Sequence, residues 1–407
     1  MKIIDVEKFK KKFPILNIKV NGNDLVYLDN AAITQVPECV INSLVEYYSK
    51  YNANVHRGAY YLSEVSTEKY ENVREKLNKF FNGEYYKNFI FVRSTTEGIN
   101  LVSNSYLKSI LNPGDEVLIS QMEHHSNIIP WYLLCKEFNA TLKVIPMLED
   151  GSIDYSKIEF LLTSKTKILA VTHVSNSIGT INDIKRIIKL AHSFNVPVLI
   201  DGAQSFSHCK IDLKDLDCDF YVFSSHKMHG PNGVGFLYSK SSFLDKMIPY
   251  QGGGDMIKSV SFSDVIWNDV PYKFEAGTPS IANVIAFGSL LDFFAEYDLD
   301  RLFLYKKELF DYLIDNLLRI SYVKIIGTPK NNSSIISFLL DGIHPHDFST
   351  IANYYGVSVR TGHHCCMPVM NFYNISSSIR VSLGFYNSFS DIDILIKSII
   401  EARKIFS

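Results

Sequence analysis

Phe220-Tyr221-Val222-Phe223-Ser224-Ser225-His226-Lys227 is the stretch on which the reading of this chain turns. Its unbroken apolar start predicts a short strand buried on both faces, as in a parallel sheet. The strand runs into a lysine and then into the turn Gly230-Pro231-Asn232-Gly233. Upstream, Val198-Leu199-Ile200 predicts a second such strand, ending in Asp201-Gly202-Ala203-Gln204. Open parallel sheets bind ligands at the carboxyl ends of their strands, so Asp201 and Lys227 both stand where a site forms. A lysine and a carboxylate at two strand ends suit pyridoxal phosphate chemistry. The amine holds the cofactor aldehyde as a Schiff base, and the carboxylate keeps the pyridine nitrogen protonated so that the ring acts as an electron sink. Taken alone, the pair is only suggestive, because most strand-end lysines are solvated surface residues.

Working outward, Tyr70, Val73, Leu77 and Phe80 recur at helical spacing and Asn82-Gly83 provides a stop. Strands are predicted at 89–92, 117–119 and 168–171, and Ile184, Ile187, Ile188 and Ala191 mark one face of a helix. Short apolar strands alternating with helices predict an α/β fold with a mostly parallel sheet covered on both faces. The rhythm changes to α+β after about Leu290. The expected organisation is a large cofactor-binding domain over 21–290 and a smaller C-terminal domain over 291–407, joined by the N-terminal segment 1–20.

The 407 residues are 46% apolar and 21% charged with a formal net charge of -2, the profile of a globular enzyme. No basic tail points to nucleic acid, and no apolar run reaches the length of a membrane span or a signal peptide. The six cysteines form no CxxC pair, which favours reduced thiols and a cytoplasmic location.

Four further segments carry chemistry. Ser94-Thr95-Thr96 lies between a strand and a helix, where hydroxyls and free amides cradle phosphate; a plain N-cap is the simpler reading of these residues alone. Glu123-His124-His125 follows a strand and offers an imidazole to stack on a flat ring. No third or fourth ligand stands at zinc-like spacing, so no metal site is expected. Arg360-Thr361-Gly362-His363-His364-Cys365-Cys366 surrounds a thiol with basic groups, which favours thiolate. In Ser378-Ile379-Arg380-Val381-Ser382 an arginine interrupts an apolar strand and suits a bidentate grip on a carboxylate.

With these motifs in order, the chain resembles the group II, SUF-type cysteine desulfurases, pyridoxal phosphate enzymes of fold type I that include selenocysteine lyases. The resemblance runs through Tyr27-Leu28-Asp29-Asn30-Ala31-Ala32, Asn54-Val55-His56-Arg57-Gly58, Arg93-Ser94-Thr95-Thr96-Glu97-Gly98, and Glu123-His124-His125. It continues through Thr172-His173-Val174-Ser175-Asn176, Asp201-Gly202-Ala203-Gln204, His226-Lys227, Phe274-Glu275-Ala276-Gly277-Thr278-Pro279 and the RxGHHC segment. Cys366 departs from it, standing where alanine is expected. The resemblance implies that Lys227 carries the cofactor, His124 stacks on it, Asp201 pairs with the pyridinium and Gln204 meets the phenolic oxygen. Thr95, Thr96, Ser224 and His226 would hold the phosphate, with Thr278 contributed by a neighbouring subunit of a homodimer. Arg380, Asn176 and Arg360 would bind the carboxylate of L-cysteine, and Cys365 would receive the sulfur as a persulfide for iron–sulfur cluster assembly. Selenocysteine is a further expected substrate. An aminotransferase or kynureninase-like enzyme is the alternative, and it needs no cysteine on a loop. The resemblance further implies that the sulfur passes to an acceptor protein. In relatives whose acceptor holds its cysteine on zinc, a histidine before the active-site strand can replace that cysteine, and His346 stands at that place. The residues alone read as a polar turn with Asp347 near a helix N-cap.

Overall fold

The computed structural model describes residues 5–406. Its centre is a sheet of seven strands: β1 (Phe89–Val92), β2 (Glu116–Ser120), β3 (Thr141–Ile145), β4 (Thr166–Thr172), β5 (Val198–Asp201), β6 (Phe220–Ser224) and β7 (Gly235–Ser239). They lie in the order β1-β7-β6-β5-β4-β2-β3. β7 runs antiparallel to β1 and β6, and the remaining pairs are parallel. The exception follows from chain length. The link from Ser224 to Gly235 is too short for a helical crossover, so the chain turns straight back, and Lys227 sits in that link.

Every residue of β1, β5, β6 and β7 is buried. Alternate side chains feed two apolar layers: Tyr221, Phe223, Val198 and Ile200 on one face, Phe220, Val222 and Leu199 on the other. The helix Tyr61–Phe80 buries Tyr70, Val73 and Leu77 as its spacing predicts, and Ile184–Ser193 buries Ile184, Ile187, Ile188 and Ala191. The helix Thr95–Ser105 lies close on β6. A Cβ at Gly98 would stand 2.9 Å from Val222 Cγ1, and this approach delivers the helix N-terminus to the carboxyl end of the sheet.

A second, four-stranded sheet pairs Val323–Ile326, Ile335–Leu340, Ser378–Ser382 and Arg360–Gly362 in that order. Its core includes Leu309, Leu313, Phe338, Val381 and Leu395, and Val26 and Leu28 join it from the N-terminal region. Val26–Tyr27 pairs in parallel with Val357–Ser358. Phe9, Phe13 and Leu16 pack instead with the large core, where Phe9 meets Phe293 and Tyr297; residues 1–4 of the segment 1–20 lie outside the described residues. The expected boundary at 290/291 falls inside one helix, Ile281–Ala295, whose Leu290, Leu291 and Phe294 are all buried. That helix is apolar nearly all round, so its periodicity could not mark where one core stops. Among the described residues no helix is long and apolar enough to cross a membrane.

Candidate active site

A cavity of about 290 Å³ opens at the carboxyl ends of β1, β2, β4, β5 and β6. Its walls include Thr95, Thr96, His124, Asn176, Asp201, Gln204, Ser224, His226, Lys227, Arg360, Cys365 and Arg380. The tertiary fold thus gathers residues drawn from most of the chain's length. Thr278 is not among them and lines a separate opening with Glu275, Gly277 and Gln251.

Asp201 ends β5 and is 3% exposed. Its Oδ1 accepts the amide of Ala203 at 2.9 Å. Gly202 allows this turn, because a Cβ there would collide with the Tyr221 ring. Burial raises the Asp201 pKa against the opposing pull of the Ala203 amide and Lys227, so its ionised form depends on a cation beside it. Lys227 lies in the 3-10 turn Ser225–Lys227. Burial pushes its amine below the usual lysine range, opposed by Asp201, which favours a nucleophilic neutral amine. His124 is lowered to about 3, first by burial and then by Lys227. Its Nδ1 accepts the Ser126 amide at 3.1 Å, so the neutral ring carries its proton on Nε2. Burial likewise takes His226 to about 4. Gln204 Nε2 donates to Ala31 O at 2.6 Å.

At the other end of the cavity, Ser94 caps the helix Thr95–Ser105 without a side-chain hydrogen bond. The simple N-cap is therefore not what these hydroxyls do. Thr95 N and Oγ1 each meet Ser224 Oγ at 2.8 Å, and Thr96 Oγ1 meets Ser126 Oγ at 2.8 Å. Four hydroxyls at the start of a helix whose Ser94 side chain does not cap it could hold an anion. Ser126 carried no signal in the sequence beyond its place after the histidine pair.

On the third side, Arg380 is 2% exposed in the strand Ser378–Ser382. Its Nη1 donates to Asn176 O at 2.9 Å and its Nη2 to Asp29 Oδ1 at 2.8 Å, while its buried Nε has no protein partner. Arg360 Nη1 stands 3.9 Å from Asp29 Oδ2. Asp29 is thus the counter-charge of the arginine pair, a role that residues 351 positions apart do not reveal in sequence. Asn176 Nδ2 donates to His364 O at 2.7 Å, tying the arginine to the thiol loop. In that loop His364 and Cys365 both hold positive φ, 53° and 54°. Left-handed backbone at two successive non-glycine residues stores about 1–3 kcal/mol each. It turns Cys365 into the cavity, with its carbonyl accepting from His125 N at 2.9 Å. Cys366 points the other way. It is 0% exposed, its Sγ–H donates to Met122 O at 3.2 Å, and burial pushes it up to about 12.

Sequence reasoning placed Glu123 beside the histidine pair but gave it no role. Its buried carboxyl accepts from Ser120 Oγ, from Asn127 Nδ2 at 2.6 Å and from Thr172 N at 2.9 Å. It fixes the chain just before His124. Among the described residues no group of three potential metal ligands forms a metal-binding cluster.

A family model described as aminotransferase class-V matches residues 26–395. The chain is 43% identical over 401 residues to a cysteine desulfurase of Wigglesworthia glossinidia brevipalpis, covering 98% of each. It is 44% identical over 395 residues to a cysteine desulfurase of Escherichia coli K12, covering 97% of each. The crystal structure of cysteine desulfurase CsdA from Escherichia coli superposes with a TM-score of 0.93 at 34% identity and full coverage of both chains. An apo cysteine desulfurase from Thermococcus onnurineus NA1 gives 0.93 at 33%, covering 99% of each. The chain belongs to the class-V aminotransferase family of fold type I pyridoxal phosphate enzymes, and within it to the cysteine desulfurases.

Proposed function

We propose that this enzyme is a SUF-type, group II desulfurase that converts L-cysteine to L-alanine and leaves the sulfur as a persulfide on Cys365. The observation that carries this reading is the placement of the Cys365 thiol in one cavity with Lys227, Asp201 and Arg380. An aminotransferase or kynureninase-like enzyme has no use for a thiol held there by strained backbone.

The donor set fits pyridoxal phosphate. Lys227 Nζ would hold its aldehyde carbon and Asp201 its ring nitrogen, with His124 over the ring and Gln204 at the phenolic oxygen. Thr95, Thr96, Ser224 and His226 would take the phosphate. When bound, the cofactor supplies an electron sink next to the substrate Cα. The chain's own residues do the rest. Arg380, with Asn176 and Arg360, grips the substrate carboxylate. Lys227 Nζ, neutral when released, takes the Cα proton. Cys365 Sγ attacks the substrate sulfur as the Cβ–S bond breaks. In net, cysteine plus a thiol becomes alanine plus a persulfide. The weaker C–Se bond makes selenocysteine a second substrate.

We read the molecule as a cytoplasmic homodimer with a large domain over 21–290 and a small one over 291–407. The hairpin Ile257–Val260 and Val265–Trp267 leaves Val260, Phe262, Ile266 and Trp267 exposed, an apolar patch suited to a second subunit, beside which Thr278 would reach the partner's phosphate. The acceptor is read as a protein with a zinc-held cysteine that engages His346. This histidine is exposed at the start of the helix Pro345–Tyr354, where His344 is the N-cap; Asp347 lies in the first turn.

The experiment is alanine formation from L-cysteine by wild type and Lys227→Ala. Loss of turnover and of cofactor absorbance in a folded variant is expected. Retained turnover refutes the Lys227 assignment.

A further inference from the structure

Behind the cavity lies a cluster that the reaction does not use. Lys306, on the helix Leu299–Leu318, is 2% exposed. Its Nζ donates to Ser207 O and to His208 Nδ1, the latter at 3.1 Å. It also sits 4.8 Å from the centre of the Phe385 ring. An ammonium has three hydrogens, and a carbonyl, an imidazole nitrogen and a ring face use all three. Among the described residues no carboxylate stands within ion-pair distance of it, so this amine is held in the core by neutral groups alone.

Both ends of this hold lead to Lys227. Ser207 Oγ donates to Lys227 O at 3.2 Å. The Phe385 ring stacks on His229 at 5.6 Å and 29°. His229 follows Lys227 by two positions, and its amide donates to Thr34 Oγ1 at 2.6 Å, while Thr34 N donates to His226 O at 2.8 Å. The turn carrying Lys227 is therefore clamped from two sides by groups that themselves rest on Lys306.

We propose that Lys306 is a positioning residue for Lys227. Its buried amine fastens the Ser205–Cys209 turn and Phe385 to the helix Leu299–Leu318, and through Ser207 and His229 it sets the reach of the Lys227 amine. The inference rests on Lys227 being the cofactor lysine. Burial brings Lys306 down to about 7, so the clamp loses a proton as pH rises through neutrality, and with it the ring contact. The titratable groups facing it are His208 and Cys209 on the turn and His229 beyond the ring. Burial holds both histidines neutral and keeps the thiol protonated, with a pKa of about 12; the near-neutral step therefore belongs to Lys306.

The test uses holoenzyme carrying Lys306→Met, Ser207→Ala, both together, or Lys227→Ala. It measures kcat and KM for L-cysteine and the bound-cofactor absorbance across pH. Lys306→Met should lower kcat roughly 10- to 100-fold with little change in KM, because a misplaced reacting group costs about that much. It should also change the pH profile of that absorbance around neutrality. Ser207→Ala keeps the Lys306 contact to the main chain and should lower kcat less, and the double variant should be no slower than Lys306→Met alone. In apo-protein, the stability of wild type relative to Lys306→Met should rise between about pH 7 and 10.5, where the unfolded lysine binds more protons than the folded one. An unchanged absorbance profile and kcat in Lys306→Met, additive losses in the double variant, or a flat stability difference overturns the proposal. Should Lys306→Met not fold, wild-type kcat in Ser207→Ala overturns it. Turnover and cofactor absorbance retained by Lys227→Ala would instead remove the reading on which it stands.

Discussion

Replacing each of the two adjacent cysteines separates the reactive thiol from its neighbour. Cys366 is closed off in two independent ways. Its Sγ faces the carbonyls of Met122 and Glu123 at 3.2 and 3.4 Å, away from the cavity. Burial also holds its pKa at about 12, so at pH 8 only about one molecule in ten thousand carries the thiolate that attacks sulfur. Cys366→Ala should therefore keep alanine formation within about threefold of wild type. The deleted sulfur and its hydrogen bond should cost about 1–2 kcal/mol of stability, read as a lower midpoint in denaturant. Cys365→Ser should fold like wild type and form no persulfide. The assay is incubation with L-cysteine, alkylation of the persulfide and mass mapping of the 360–370 peptide, beside alanine release. A persulfide on Cys366, or loss of alanine formation in Cys366→Ala with the fold intact, refutes the reasoning.

Arg380→Lys replaces a planar fork with a point charge and should raise KM for L-cysteine about 10- to 100-fold with a smaller fall in kcat; steady-state kinetics check it, and an unmoved KM counts against the carboxylate role. His229 is buried among Phe13, Phe294, Phe385 and Tyr386 and is lowered to about 3. Its folded pKa lies below the unfolded one, so its contribution is present above about pH 6.5 and is lost as pH falls toward 3. At pH 5 wild type should have lost about 2 kcal/mol that His229→Gln does not lose, measured as the pH slope of unfolding free energy; equal slopes would contradict the neutral buried ring. His346→Ala should leave reductant-driven alanine formation unchanged and lose stimulation by a zinc-bearing acceptor. Equal stimulation of both proteins would end that assignment.

Most of the sheet was legible because strands buried on both faces print as unbroken apolar runs: Phe89–Val92, Val198–Asp201 and Phe220–Ser224 all fall where the runs lie. The antiparallel β7 and the continuous helix Ile281–Ala295 were not, since neither a reversal of direction nor the end of a core leaves a mark in periodicity. At the site, strand-end position singled out Asp201 and Lys227, and the cavity gathers them with His124, Cys365 and Arg380. The roles of Asp29, Glu123 and Ser126 were not legible, because each works through partners that the linear chain does not show.

The sequence by itself determined an α/β sheet enzyme and the chemical kinds its site needs: a lysine, a carboxylate, hydroxyls at a helix start, a thiol among basic groups. Composition, period and strand-end position are local properties, and a linear chain carries them whole. Tertiary structure alone decided which carboxylate neutralises Arg380, how Cys366 is turned away from the cavity, and what holds the Lys227 turn in place. Those outcomes depend on desolvation and on contacts such as that of Lys306 with Ser207 and Phe385, which exist only once distant segments have packed together.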